Sequence, residues 1–148
     1  MEKINIGIIG FGFVGSAVEY GFSPQTGCDF TNIRVYDTDK NKSRNTLDET
    51  VNESEFIFLS VPTPANKDGS INTDIIKSAI KDINSVNKIA SNIILIRSTV
   101  TPGTTREIQK LYPNLNIVFN PEFLTERSAK FDFINQSRLI LGGDKYDT

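Results

Sequence analysis

The sequence predicts an α/β fold: a doubly wound, mostly parallel sheet of about six strands with helices on both faces. Three observations predict it. Short Val/Ile/Leu/Phe runs alternate with helix-like or polar stretches, the βαβ rhythm of a parallel sheet. Those runs show little polar/apolar alternation, as strands covered on both faces should. The first run also feeds directly into a glycine-rich turn and then into an Ala/Val-containing helical run.

In chain order, Ile4–Ile9 reads as the first strand and Phe13–Phe22 as the first helix, closed by Pro24 and Gly27. The second strand is Ile33–Tyr36. A short helix over Leu47–Glu53 links it to a third strand, Phe56–Val61. In the next helix, Thr73–Ile89, residues Ile75, Ile76, Ala79, Ile80 and Ile83 recur at helical spacing, with Thr73 as the N-cap. Strand four is Asn92–Arg97. A helix over Gly103–Leu111 follows, with Pro102 suited to its start. Asn116–Phe119 and Arg138–Leu141 read as the fifth and sixth strands, and Phe119, Phe131 and Phe133 as core.

A chain of 148 residues accommodates one domain, 1–148, with a proper core. Its net charge of −2, without a basic stripe, argues against a nucleic-acid partner. No apolar run approaches the ~20 residues of a membrane span. Only Met1-Glu2-Lys3 precedes the first strand, so no signal peptide is expected and a cytoplasmic protein is. One cysteine and no histidine exclude an internal disulfide, a histidine base and a Cys/His zinc site; no metal is expected.

The turn is Gly10-Phe11-Gly12-Phe13-Val14-Gly15, a G-x-G-x-x-G. Gly10 permits the tight turn, Gly12 lets backbone approach a pyrophosphate, and Gly15 lets helix and strand pack closely. The pyrophosphate then meets free N–H groups at the helix N-terminus, at Phe13 and Val14. The second strand ends in Asp37, at the distance where a carboxylate accepts a ribose 2′-hydroxyl. This is a Rossmann-type dinucleotide signature. A 2′-phosphate would be repelled by Asp37, so the charge favours NAD over NADP, although Lys40 and Lys42 stand close by.

Parallel strands bring their carboxyl ends to one edge, where open α/β sheets bind ligands. At that edge the chain places the glycines, Asp37, Pro62-Thr63-Pro64, Ser98-Thr99 and Asn120-Pro121-Glu122. Any one of these is an ordinary polar or proline-rich loop. Five in succession describe a nucleotide cleft.

Val61-Pro62-Thr63-Pro64, Ile96-Arg97-Ser98-Thr99-Val100 and Asn120-Pro121-Glu122-Phe123-Leu124-Thr125-Glu126 resemble the N-terminal NAD-binding domain of the UDP-glucose/GDP-mannose dehydrogenases. The resemblance spans essentially the whole chain, to Gly142-Gly143. These enzymes oxidise the C6 alcohol of a nucleotide sugar to a carboxylate with two NAD per turnover. The resemblance implies Val61, Pro62, Thr63 and Ser98 at the cofactor, Thr63 beside the nicotinamide, and Thr99 near both the cofactor and the reacting centre with its water. It implies Glu122 as the carboxylate assisting water or proton movement, and Glu126 as a second glutamate near cofactor and substrate. Phe123 and Leu124 would contact the sugar nucleotide, alongside Glu122. On spacing alone, Glu122 and Glu126 are a solvated i, i+4 pair.

Three departures from the family pattern stand out. The segment between Asp37 and the Val-Pro-Thr-Pro strand is shortened to Thr38–Glu55. Arg127 stands where the family carries glycine. The family's nucleophilic cysteine, with its lysine and asparagine, lies in later central and C-terminal domains that this chain does not include, so the chain alone is expected to bind NAD without completing the oxidation. Cys28 falls at the amino edge of the sheet, roughly a strand length (~17–20 Å) from the cleft, and is not that nucleophile. Two alternatives remain open: the NAD domain of a β-hydroxyacid or 6-phosphogluconate-type dehydrogenase, and a free-standing NAD-binding module. Apolar surface left where a further domain would dock could drive homodimer formation.

Overall fold

A computed structural model describes residues 3–143. Its strands are β1 (Ile4–Ile9), β2 (Thr31–Tyr36), β3 (Phe56–Leu59), β4 (Ile93–Ile96) and β5 (Asn116–Phe119). Its helices are α1 (Phe13–Gly21), α2 (Leu47–Asn52), α3 (Asp74–Val86), α4 (Thr104–Leu111) and α5 (Ala129–Ile134). All four strand pairings are parallel, in the order β2-β1-β3-β4-β5, which makes the fold Rossmann-like. The order reverses between β1 and β3, and the crevice at that switch point is where such sheets take their ligands.

Alternate strand residues divide the interior into two layers. Ile9, Ile57, Leu59, Ile94, Ile96 and Ile117 point to the side covered by α2, α3 and α4. Helix α3 explains itself: Ile76, Ile80 and Ile83 share one face, are fully buried, and contribute about 1.5–3 kcal/mol each. Ile6, Ile8, Val35, Phe58, Leu95 and Val118 point the other way, against Ala17 and Val18 of α1 and Ala129 and Phe133 of α5. This second face is thinly roofed, because α5 has six residues. A cavity of about 540 Å³, lined in part by Phe22, Phe58, Leu95 and Leu141, opens beside α5.

The sixth strand does not form. Arg138–Leu141 runs as irregular chain, and Gly142 alone bridges to Phe119, antiparallel. The segment is tied instead by the Ile140 carbonyl, which accepts from Asn120 Nδ2 at 2.9 Å, and its Leu139 stays 63% exposed. A ladder joined at one point gives an apolar run no face to bury, so it does not become a strand. Phe133 is core as expected, but Phe131 is 66% exposed. Two helical residues apart means about 200° of rotation, so the pair cannot share a face.

Thr73 occupies the α3 N-cap position, but its hydroxyl makes no capping bond; the Asp74 N–H is taken by Asn72 Oδ1 at 2.8 Å. A full capping box stands instead at α2, where Thr46 Oγ1 accepts from Glu49 N–H and Glu49 returns the bond to Thr46 N–H.

Strand β2 is the outer strand on its side. Along the carboxyl half of its free edge, Asn45 Oδ1 accepts from Val35 N–H, and Arg44 and Asn45 N–H both donate to the Val35 carbonyl. The segment after Asp37 is therefore folded back onto the sheet rim.

Candidate functional site

The crevice begins at the glycine turn. Gly10 has φ +89, and a Cβ on it would lie 2.6 Å from the Ser60 carbonyl oxygen, so both conformation and contact demand glycine. Gly12 is the N-cap of α1 with φ −84, an ordinary conformation, and a Cβ there would meet nothing within 4 Å. That empty space lies in front of the α1 N-terminus, where Phe13 and Val14 begin the helix with their N–H groups unpaired by helix geometry. Gly15 is different again: a Cβ would fall 2.2 Å from the Gly10 carbonyl oxygen. Gly15 thus maintains the turn, while Gly12 leaves a seat of the kind a pyrophosphate needs.

Asp37 sits at the carboxyl end of β2, bonded on both oxygens. Phe11 N–H donates to Oδ2 at 2.7 Å and Asp39 N–H to Oδ1 at 2.8 Å. These bonds aim the carboxylate from the glycine turn itself, and each oxygen retains a lone pair for a ribose hydroxyl. The loops after β3 and β4 are tied together by Ser98, whose buried hydroxyl donates to the Val61 carbonyl at 2.7 Å. Ser98 thereby ties the start of the Val61–Pro64 loop to the residue before Thr99, which is exposed.

After β5, Glu122 is half-buried and its Oε2 accepts from Leu124 N–H at 2.7 Å. Glu126 is exposed and opens a 3₁₀ turn, so the two glutamates do not form a helical i, i+4 pair. Leu124 packs on the second core layer, whereas Phe123 is 67% exposed. Arg127 lies in the same turn at negative φ, so this loop does not depend on the glycine that the family pattern carries. Asp132 secures the loop from α5: its Oδ2 accepts from Thr125 N–H (3.0 Å), Thr125 Oγ1 (3.0 Å) and Ser128 Oγ (2.8 Å). Those bonds hold the Asp132 carboxyl below its ordinary range. Cys28, half-buried just ahead of β2, is at the opposite edge as expected.

Sequence reasoning missed two arginines. Arg97, directly after β4, is 2% exposed; Nη1 donates to Asn120 Oδ1 at 2.5 Å, its carbon Cζ lies 5.5 Å from the Phe133 ring centroid, and Nε and Nη2 have no partner among the described residues. Burial pushes its guanidinium below the ordinary value, and the charge of Glu122 opposes this. A charged residue ending an Ile-Leu-Ile run, immediately before a binding loop, was the available signal. Arg44 is the second: its Cζ lies 5.0 Å from the Phe11 ring centroid, and both terminal nitrogens pair with Glu19 of α1. Among the described residues, no cluster of His, Cys, Asp or Glu could hold a metal ion, and no helix is long and apolar enough to cross a membrane.

A parallel sheet with a switch-point crevice, a glycine turn with an open seat, and an aspartate fixed at the end of β2 define an NAD(P)-binding Rossmann domain. Residues 31–148 match the UDP-glucose/GDP-mannose dehydrogenase family, NAD binding domain, and the chain belongs to that family. A Methanocaldococcus jannaschii protein is 34% identical over 94% of this chain and 18% of its own length. The UDP-glucose 6-dehydrogenase AglM of Haloferax volcanii is 26% identical, over 94% of this chain and 41% of its own. The chain therefore spans well under half of either relative. Among solved structures, a UDP-glucose dehydrogenase from Pyrobaculum islandicum superposes with a TM-score of 0.78 at 20% identity, covering 98% of this chain and 42% of the other. A GDP-mannose dehydrogenase from Pseudomonas aeruginosa gives 0.75 at 22% identity, covering 93% and 40%. At those identities the two structures show the shared fold.

Proposed function

We propose that the chain is the NAD-binding part of a nucleotide-sugar 6-dehydrogenase, taking a single cytoplasmic domain to the cofactor side of the reaction. NAD, when bound, supplies the hydride acceptor for the C6 carbon of the sugar. The chain's own residues bind, orient and move protons. Gly12 and the first N–H groups of α1 seat the pyrophosphate, and Asp37 accepts from the adenosine ribose. Thr63 and Thr99 flank the nicotinamide end. Because Glu122 Oε2 already accepts from Leu124 N–H, Oε1 is the atom that takes a proton from attacking water. Glu126 is the second carboxylate of the same loop, and Phe123 and Leu124 form a wall for the sugar nucleotide. The nucleophilic thiol of the complete oxidation is supplied from outside residues 1–148, in the length of the relatives that this chain does not span. Homodimer formation would rest on the apolar surface around α5.

A single observation carries this reading: the loops that follow five consecutive strands bring the open glycine seat, Asp37, Thr63, Thr99 and Glu122 to one sheet edge, in a member of this family. Calorimetric titration of the chain with NAD, then of the NAD-loaded chain with UDP-glucose, tests it. NAD binding is expected, followed by further heat from UDP-glucose on the Glu122–Glu126 loop. Absence of NAD binding overturns the cofactor assignment; NAD binding without UDP-glucose heat overturns the substrate wall.

A further inference from the structure

Helix α5 is too short to roof its side of the sheet, and the space beside it carries a charge. Strand β4 reads Ile-Ile-Leu-Ile, and its register sets Leu95 beside Phe58 and Val118 in the layer that faces α1 and α5. Side chains alternate along a strand, so Arg97, two positions after Leu95, enters that same layer. The Phe133 ring fixes the direction, its centroid 5.5 Å from the guanidinium carbon. Arg97 thus lines the cavity of about 540 Å³ beside α5, whose other walls include Phe22, Phe58, Leu95, Phe133 and Leu139.

Arg97 is 2% exposed, and an arginine does not shed its proton to escape burial. A buried charge is costly until an anion meets it. Nη1 is used on Asn120, which offers only a neutral amide oxygen. Glu122 is the acid whose charge bears on Arg97, but its Oε2 is taken by Leu124 N–H. Nε and Nη2 are closed to bulk water and have no partner among the described residues. These two nitrogens form one edge of the guanidinium plane, the fork that takes both oxygens of a carboxylate. The cavity lining adds Arg138 and contains no acidic side chain, so its field favours an anion. Most of the remaining lining is aromatic or aliphatic, and the volume falls within the ~300–1,000 Å³ of small-molecule sites.

We propose that this cavity is a second small-molecule site, for a monocarboxylate with an apolar body: the carboxylate sits on Nε and Nη2 of Arg97, and the body lies along Phe58, Leu95 and Leu139. The site is on the α5 side of the sheet and uses neither Gly12 nor Asp37. It stands or falls independently of the cofactor reading.

The test titrates octanoate, below its micelle concentration, and octanol, the same chain with a neutral head, into the isotope-labelled full chain. Amide chemical shifts are followed for the native protein and for Arg97→Met, Arg97→Lys and Leu139→Glu. The native chain is expected to bind octanoate about ten- to hundredfold more tightly than octanol, with shifts centred on Leu95, Arg97 and Leu139. Arg97→Met should bring the acid down to the level of the alcohol, and Arg97→Lys should keep part of the gap, retaining the charge without the fork. Leu139→Glu changes an exposed wall residue, so it keeps the proposal falsifiable even where Arg97→Met fails to fold. It should weaken octanoate more than octanol, by placing a like charge at the cavity. Equal affinity for acid and alcohol in the native chain, a gap that survives Arg97→Met, or binding of neither overturns the proposal. Wall amides that shift on dilution of the chain instead of on titration overturn it too, by putting a second copy of the chain in the cavity.

Discussion

Gly12→Ala and Gly15→Ala look alike in the motif and should behave oppositely. At Gly15 a methyl group would lie 2.2 Å from the Gly10 carbonyl oxygen, well inside the 3.0 Å that real Cβ atoms respect, and the clash is with backbone at the tightest point of the turn. Forcing α1 away from β1 costs about 2–3 kcal/mol, in line with overpacked cores. For a domain of this size that lowers Tm by roughly 4–12 °C. At Gly12 the methyl group meets nothing within 4 Å and φ is ordinary, so the free protein should lose no more than about 1 kcal/mol through the changed N-cap. The seat in front of α1 is then filled, and the hydrogen bonds of a charged pyrophosphate, about 1.5–3 kcal/mol, are lost. NAD affinity should fall roughly ten- to hundredfold. Thermal unfolding with and without NAD reads both effects together. At a hundredfold excess over Kd, NAD should stabilise the native chain by about 2.7 kcal/mol. Gly12→Ala should show a native-like Tm and little NAD-induced rise; Gly15→Ala should show a depressed Tm. A Gly12→Ala protein that binds NAD normally, or that unfolds as Gly15→Ala does, would refute the division of labour between the glycines.

Other outcomes follow from the same geometry. Asp37→Ala should weaken NAD by roughly ten- to hundredfold in calorimetry, because a charge-assisted bond to the ribose is lost together with the acceptor that fixes Phe11 N–H. Asn120→Ala should destabilise the fold by about 2–3 kcal/mol in urea unfolding, since it removes the one side-chain hydrogen bond that the buried Arg97 makes among the described residues and releases the Ile140 carbonyl. Asp132 has its carboxyl pKa lowered in the folded state, so its contribution to the Glu122–Glu126 loop is present above the ordinary aspartate range and is lost as pH falls through the depressed value. The protection factor of the Thr125 amide, its exchange rate relative to the intrinsic rate at each pH, should fall in that acid window in the native chain, and in Asp132→Asn it should be low and flat across the window.

Much of this molecule is legible in its sequence, and the exceptions share a cause. Strands β1, β3, β4 and β5 announce themselves because apolar runs covered on both faces leave a pattern that does not depend on register, whereas the outer strand β2, with Val35 alone fully buried, is marked mainly by its place between the glycine turn and Asp37. Arg138–Leu141 carries the same composition yet forms no strand, because whether an apolar run is paired is decided by what else reaches the β5 edge. Phe131 and Phe133 are the same residue type two positions apart, and only the helical phase of α5 separates them. Asp37 and the glycines could be placed from spacing, since their roles lie within one βαβ unit. Arg44 and Arg97 could not, for their partners Phe11, Glu19, Asn120 and Phe133 stand 23 to 36 positions away along the chain.

The folded-back segment on β2 has an effect away from the crevice. An outer strand with free N–H and C=O groups is a template on which another chain can polymerise. Here Val35 offers neither group: its donor is taken by Asn45 and its acceptor by Arg44 and Asn45. The Val35 end of the rim is consequently closed to strand addition, which shortens the edge on which a second chain could pair.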